Sequence, residues 1–167
     1  MSQPTSEATA KSSWTRKIPP LFPDQQKSVD AELAAGRVLD FSEPGTGKTR
    51  VRLEVFAKRR VAGGGCALVF APKSLVRTAW EADAQRYVSW LTTSCAFAAN
   101  REKAFVAKAD MYVTNHDAVK WVAKQPAAFF KKFDLLVIDE CSGFKHHTSQ
   151  RSKAMNRIKK LFEFRAI

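Results

Sequence analysis

The stretch "SEPGTGKTR" (42–50) constrains this chain most, because two closely spaced glycines precede a lysine and a threonine. It fits the pattern G-x-x-x-x-G-K-[ST], with Ser42 in place of the first glycine and Gly47, Lys48 and Thr49 at the other fixed positions. Glycines let successive backbone N–H groups face phosphate oxygens at the start of a helix, the lysine reaches the outer phosphates, and the threonine hydroxyl faces magnesium. An apolar run precedes the stretch and a helix-like run follows it. This context favours a nucleotide phosphate loop over a glycine-rich turn with an exposed lysine.

Short apolar runs alternate with helix-length amphipathic segments, which is typical of a parallel sheet with crossover helices. The runs are "RVLDF" (37–41), "CALVFA" (66–71), "TSCAFA" (93–98), "DMYVTN" (110–115) and "DLLVID" (134–139). Before them, "LFPDQQKSVDAELAAG" begins with Pro and Asp and ends in Gly36, as a capped helix does. We expect an α/β fold with a parallel β-sheet flanked by helices on both faces.

Composition favours one domain with a polyanionic partner. The chain has 167 residues, 45% hydrophobic content and a formal net charge of +12. Such a basic surplus usually indicates nucleic acid or an acidic membrane surface. No signal peptide pattern and no apolar run long enough to span a membrane is present, and three unpaired cysteines suit a reducing compartment. We expect a soluble, cytoplasmic or otherwise intracellular protein that does not act at a membrane.

A second motif, "LLVIDE" (135–140), ends an apolar strand in two acids. Magnesium on nucleotide phosphates needs a carboxylate near the adjacent strand end, and hydrolysis needs a group that orients water. Asp139 is the candidate magnesium ligand beside Thr49, and Glu140 is the candidate base for the attacking water. A strand that ends in acids at a loop is also common, but the order of the two motifs along the chain favours the metal site.

These motifs together resemble the first RecA-like lobe of superfamily 2 helicases, specifically the Swi/Snf-type double-stranded DNA translocases, including the compact versions found in phages. "LFPDQQKSV" resembles the family's Q-motif, "SEPGTGKT" motif I, "VFAPKSLVRTAW" motif Ia, "YVTNHDAV" motif Ib, and "VIDECSGFKHHTSQRSKAM" motif II with its basic continuation. The resemblance implies Mg²⁺ and ATP as cofactors, a RecA-like P-loop NTPase fold, and Gln25 as the residue that reads the adenine edge. It implies Lys48 and Glu140 as catalytic residues, and a nucleotide-binding set of Gln25, Gly45, Thr46, Gly47, Lys48, Thr49 and Arg50.

The basic residues predict a path for nucleic acid. From Lys145 to Lys160 there are six Lys or Arg residues and no acid. Such a run is often only a solvated helix face, but its place directly after the acidic motif favours contact with the DNA backbone, without base specificity. RNA stays open as the ligand. The expected nucleic-acid residues are Lys73, Ser74, Arg77, Asn115, Lys145, Arg151 and Lys153.

The expected domain organisation is a flexible leader over 1–17 and an ATP-binding lobe over 18–167 that ends before motif III. In the family a second lobe supplies arginine fingers, so we expect the chain alone to hydrolyse ATP weakly or not at all, and a second chain is a candidate partner. The alternative is a stand-alone nucleotide- and DNA-binding module that regulates or inhibits without turnover. A kinase of small substrates is disfavoured by the charge and by the adjacent acids Asp139 and Glu140.

Several other residues carry weaker signals. His146, His147 and Cys141 lack the second ligand pair that a zinc site needs. The helical spacing around Trp80 indicates a core residue rather than a platform for stacking bases. His116, at a strand end, either touches a phosphate or caps the following helix.

Overall fold

A computed structural model of the chain describes residues 18–39, 45–144 and 149–167. Its centre is a sheet of six parallel strands in the order β1-β6-β5-β2-β4-β3. The strands are β1 (Arg37–Val38), β2 (Cys66–Ala71), β3 (Thr93–Ala96), β4 (Met111–Asn115), β5 (Phe133–Ile138) and β6 (Phe164–Ala166). The helices are α1 (Pro23–Ala35), α2 (Lys48–Val61), α3 (Ala82–Tyr87), α4 (Arg101–Val106), α5 (Val119–Val122), α6 (Ala127–Phe130) and α7 (Gln150–Lys159). The predicted α/β class is confirmed.

Helices cover both faces of this sheet, as predicted. Alternate residues of a strand face opposite sides, so the strands contribute to two separate hydrophobic cores. Ala67 and Val69 of β2 pack with α1, α2 and α3 on one side. Leu68 and Phe70 pack with α4, α5 and α7 on the other. A sheet buried on both faces requires near-continuous apolar strands, which is the pattern in the sequence.

The predicted strand ends shift by one to two residues. β3 stops at Ala96 and β5 begins at Phe133, while residues 40 and 41 of the first predicted strand lie outside the described residues. The helix predicted after β2 begins as a π-helical segment, Val76–Glu81, before it continues as α3. A π-helical turn is rare but is frequent at functional sites. Its hydrogen bonds span five residues, so the 3.6-residue pattern of an α-helix does not predict it.

The first helix is capped at both ends by the predicted residues. Pro23 stands at its first position, and the Gln25 side chain accepts a hydrogen bond from the Phe22 N–H (N to Oε1, 3.1 Å). Gly36 ends it in the left-handed conformation, with φ of 67°. This fixes α1 beside the start of α2.

Because all strands run parallel, their carboxyl ends lie along one edge of the sheet. The segments after β1, β2, β4 and β5 therefore converge there, and they hold motifs I, Ia, Ib and II, four of the five motifs in the sequence. No helix within the described ranges is long and apolar enough to cross a membrane.

Candidate nucleotide and nucleic-acid site

The phosphate loop enters α2 through two glycines in the left-handed region. Gly45 has φ of 86° and Gly47 has φ of 80°. Gly47 is the residue just before α2, so the N–H groups of the first helical turn, at Lys48 and Thr49, open toward the cleft. Ser42, the departure from the motif, lies outside the described residues.

Gln25 connects this loop to α1. Its Nε2 donates to the Thr46 carbonyl at 3.3 Å, while its Oε1 accepts from Phe22. A Cβ added at Gly47 would lie 2.3 Å from Gln25 Nε2, closer than any real contact. Gly47 is therefore required both for its conformation and for the close approach of the glutamine.

A cleft of about 770 Å³ brings the predicted nucleotide residues together. Its walls are the segment before α1, the phosphate loop, the π-helical segment with α3, and the end of β5. Of the predicted cofactor and catalytic residues, the following line it: Gln25, Gly45, Gly47, Lys48, Thr49, Arg50, Asp139 and Glu140. Thr46 contributes the carbonyl that Gln25 binds. A nucleoside triphosphate fits a cleft of this size, since small-molecule sites are typically about 300–1,000 Å³.

A smaller cavity of about 200 Å³ lies where the loop meets β5, and Lys48, Thr49, Asp139 and Glu140 line it. A hydroxyl and a carboxylate from facing elements are oxygen donors that suit Mg²⁺. Glu140 has φ of 50°, in the left-handed region that non-glycine residues rarely occupy. Such strain is frequent at functional sites, and here it falls on the candidate catalytic acid.

Asp139 is held from three directions. Its N–H donates to the Phe70 carbonyl at 2.8 Å. Its own carbonyl accepts from His116 Nε2 at 2.9 Å, and its Oδ2 accepts from Trp80 Nε1 at 2.9 Å. The side chain and both backbone groups of the candidate metal ligand are thus tied to neighbouring strands and to the π-helical segment.

His116 contacts the acidic motif rather than capping a helix. Burial, the largest cause, and the nearby Arg151 charge lower the pKa of His116, and together they outweigh the hydrogen bond to the Asp139 carbonyl and the nearby carboxylates, which raise it. The imidazole is therefore neutral near pH 7, and its Nε2–H donates to the Asp139 carbonyl. Its other neighbour is the Phe144 ring, at 5.0 Å between centroids.

Arg50 lies in the cleft wall with its guanidinium already engaged. It donates to Glu54 (Nε to Oε1, 3.0 Å) and to the Pro19 carbonyl (3.2 Å), and it lies 4.0 Å above the Tyr87 ring. Only 9% of the residue is exposed. Arg50 thus joins the segment before α1 to α3 and shapes the far end of the cleft.

Sequence reasoning missed Arg52. It lies in the smaller cavity, one helical turn after Lys48, and forms a buried ion pair with Glu32 of α1. Burial lowers the pKa of Arg52 to about 10, against the nearby Asp139 charge, which raises it. The i, i+4 spacing from Lys48 was the available signal, since it places both side chains on one face of α2.

The predicted nucleic-acid residues lie in several environments. Lys73 and Ser74 are exposed after β2, and Arg77 is exposed with a 3.7 Å pair to Glu81. Asn115 is buried and donates to Asp117, which also pairs with Arg151. Lys153 is exposed on α7, while Lys145 lies outside the described residues, as do His146 and His147. Nowhere in the described ranges do three or more His, Cys, Asp or Glu side chains form a group that could hold a metal.

A cationic groove runs between α5 and α7, with a volume of about 300 Å³. Its lining is Lys120, Ala123, Lys124, Gln150, Lys153, Ala154 and Arg157. No acid is among these residues. Lys153 and Arg157 are four residues apart and therefore lie on one face of α7, Lys120 lies on α5, and Lys124 lies just after α5. Lys153 and Arg157 belong to the basic run predicted from the sequence, whereas Lys120 and Lys124 were not singled out, because only the fold brings α5 beside α7.

The fold and the cleft define a class: a RecA-like lobe of the superfamily 2 helicase kind. The chain belongs to the family described as "Type III restriction enzyme, res subunit", whose sequence profile matches residues 20–166. No curated protein sequence matches it.

Two solved structures are similar in fold. One is the Sulfolobus solfataricus SWI2/SNF2 ATPase core in complex with dsDNA, with a TM-score of 0.72 and 20% identity, covering 89% of this chain and 31% of that chain. The other is the UvsW helicase from bacteriophage T4, with a TM-score of 0.64 and 18% identity, covering 85% of this chain and 49% of that one. The chain thus spans less than half the length of either protein.

Proposed function

We propose that this chain is the ATP-binding lobe of a Swi/Snf-like, ATP-dependent double-stranded DNA translocase. The observation that carries the proposal is the single cleft shared by the phosphate loop, Gln25 and the acidic pair Asp139-Glu140. A glycine-rich turn with an exposed lysine would not need a carboxylate pair, a strained glutamate and a hydroxyl around one cavity.

Each cleft residue has a chemical task in this proposal. Lys48 and the N–H groups at the start of α2 bind the phosphates. Thr49 and Asp139 would hold Mg²⁺, which would supply positive charge to neutralise the phosphates. Glu140 orients and deprotonates the attacking water. Gln25 fixes the loop through Thr46 and reads the adenine edge.

The nucleic acid binds at the same edge of the sheet, through phosphate contacts. Lys73, Ser74 and Arg77 form one end of the path, and the α5–α7 groove forms the other. Cations hold the backbone without reading bases, so affinity depends on salt and not on sequence. The similar Sulfolobus ATPase core is a complex with dsDNA, which supports duplex DNA as the ligand of this chain.

Efficient hydrolysis requires a second lobe in this proposal. Within the described residues, the arginines that line the two cavities are Arg50 and Arg52, and both are committed to other partners. Arginine fingers that stabilise the transferring phosphoryl group typically contribute about 10³–10⁵ in rate. An arginine from another lobe would complete the ATP site.

Binding of ATP tests the proposal directly. We expect calorimetry to detect Mg²⁺-dependent ATP binding, and Lys48→Ala to weaken it by at least about tenfold, the equivalent of one charged hydrogen bond. The matched control is Lys58→Ala, a lysine on the same helix whose side chain is 45% exposed and pairs with Asp30. Equal affinity in the wild type and Lys48→Ala would contradict the proposal.

A further inference from the structure

We propose that Trp80 is a positioning residue for the candidate Mg²⁺ ligand Asp139, an inference that rests on the proposed function. Its indole Nε1–H donates to Asp139 Oδ2 at 2.9 Å, across 59 residues of sequence. Trp80 is 2% exposed and belongs to the hydrophobic core between the sheet and α1–α3. The core residue predicted from helical spacing therefore also has a polar partner in the nucleotide site.

The local backbone supports a specific placement of this ring. Trp80 lies in the π-helical segment Val76–Glu81, and the widened turn changes which residues face the sheet. Turns of this kind are frequent at functional sites, and the helix returns to ordinary geometry at Ala82. The irregular turn thus coincides with the residue that reaches the acidic motif.

A buried indole N–H needs an acceptor, because an unpaired donor in a core loses its hydrogen bond to water and gains none in return. Here the acceptor is one oxygen of a carboxylate, so the bond also sets the orientation of that carboxylate. The Phe70 and His116 bonds hold only the Asp139 backbone. The bond from Trp80 holds the Asp139 side chain itself. Because the indole bonds to Oδ2, Oδ1 is the oxygen that we propose to bind Mg²⁺.

If Trp80 orients Asp139, its loss should weaken Mg²⁺ binding more than nucleotide binding. Groups that orient a metal ligand typically change metal affinity by about 10–100-fold when they are removed. Trp80→Phe replaces the indole by a phenyl ring. The variant keeps a buried aromatic side chain but has no N–H to donate to Asp139. We expect Mg²⁺ affinity of the nucleotide-bound chain to fall by about tenfold. Nucleotide affinity in EDTA should stay within about twofold, because the one N–H of the indole donates to Asp139, the candidate metal ligand, and the substitution leaves the backbone N–H groups of the phosphate loop in place.

The test uses a fluorescent ADP titrated in EDTA and across Mg²⁺ concentrations. Trp121→Phe is the matched control, since Trp121 packs on Phe105 at 5.5 Å in the core on the other face of the sheet. In a double-mutant cycle, Asp139→Asn should abolish the effect of Trp80→Phe on Mg²⁺ affinity. Equal losses with and without Mg²⁺, or an effect that persists beside Asp139→Asn, would show that Trp80 only fills space and would overturn the inference.

A second readout does not depend on whether Trp80→Phe folds. The chain has four tryptophans, so Phe substitutions at the other three assign the Trp80 indole N–H signal in the ¹H–¹⁵N spectrum. We expect this signal to move when Mg²⁺ is added to the nucleotide-bound chain, and to move in Asp139→Asn. A signal that stays unchanged in both experiments contradicts the inference. If the wild type binds nucleotide equally well with and without Mg²⁺, the proposed function itself fails.

Discussion

Two glycines with left-handed backbones, one in the phosphate loop and one after α2, differ in what surrounds them. Gly47 combines a left-handed backbone with the close approach of Gln25, whereas Gly63, at φ of 88°, has open space where a Cβ would lie. An alanine at either position would strain the backbone, but only an alanine at Gly47 would also crowd a neighbouring side chain. This contrast gives a direct test of the loop.

We expect Gly47→Ala and Gly63→Ala to lose a similar amount of stability from strain, about 1–2 kcal/mol each. Only Gly47→Ala should also weaken nucleotide binding, because the new methyl group displaces the Gln25 amide from the loop. Urea unfolding and nucleotide titration of both variants check this. Unchanged nucleotide affinity in Gly47→Ala would show that the Gln25 contact is dispensable.

Asp110, which lies just before β4, makes the stability of the fold depend on pH. Burial, the largest cause, raises the pKa of Asp110, but hydrogen bonds from Thr92 and Arg60 outweigh it, and the net pKa is lowered. The folded state therefore favours the carboxylate, and this stability is present above the unfolded pKa of about 3.9 and is lost as pH falls through the folded value.

Asp110→Asn should cost about 1–2 kcal/mol at pH 7 and progressively less toward pH 3. Urea unfolding of the variant and the wild type across this range measures the difference. Asp24→Asn is the control, since the side chain of Asp24 is 94% exposed. A difference that does not shrink on acidification would contradict the assignment.

Between elements, α1 and α2 are joined by one buried and one exposed ion pair. Glu32 and Arg52 have side chains only 4% and 6% exposed, while Asp30 and Lys58 are 62% and 45% exposed at 3.6 Å. The same two helices thus offer an internal comparison of how burial changes the consequence of breaking a pair.

Glu32→Ala should destabilise the chain by about 3–5 kcal/mol, because it leaves the Arg52 charge buried without its partner. Asp30→Ala should change stability by less than about 1 kcal/mol. Combining Glu32→Leu with Arg52→Met should cost less than the sum of the two single changes, since no charge is then buried. Thermal and urea unfolding measure all of these, and additive losses would contradict the pairing.

The α5–α7 groove is the second feature that arises between elements. Replacing its four cations by Gln should lower the salt dependence of duplex DNA binding by about 0.9 per lost phosphate contact. The changed residues are Lys120, Lys124, Lys153 and Arg157. A charge-matched control replaces four exposed lysines outside the groove and outside the basic run: Lys27, Lys103, Lys108 and Lys131.

Fluorescence anisotropy of a labelled duplex at rising salt distinguishes the two sets. We expect a shallower slope and weaker binding for the groove variant, and a smaller, general charge effect for the control. Equal losses would assign the affinity to net charge alone. Stronger binding of an RNA duplex than of DNA would redirect the proposal to RNA.

For the chain as a whole, binding and turnover should separate. We expect the purified 167-residue chain to bind Mg-ATP and duplex DNA, yet to show no hydrolysis above Lys48→Ala. The physical reason is that Arg50 and Arg52, the arginines that line the described cavities, already hold other partners and cannot serve as arginine fingers. DNA-stimulated turnover by the wild type that vanishes in Lys48→Ala would show that the chain completes its own site.

Local patterns in the sequence were sufficient for the α/β class, the ends of α1 and the identity of the cleft residues. Strand runs, the glycine-lysine-threonine loop and the acidic strand end are short-range signals, and parallel topology alone places their carboxyl ends together. The first predicted helix shows why this works, since its Pro start and Gly36 end act through their own backbone.

Contacts between distant segments required the fold. The Trp80–Asp139 bond spans 59 residues, Arg52 turns inward because Glu32 of another helix meets it, and Lys120 faces Arg157 only where α5 lies beside α7. Periodicity reports which face of a helix is apolar, but not which polar atom lies opposite a buried indole or guanidinium. These pairings depend on the packing of helices on both sides of the sheet, and that packing is a property of the folded chain.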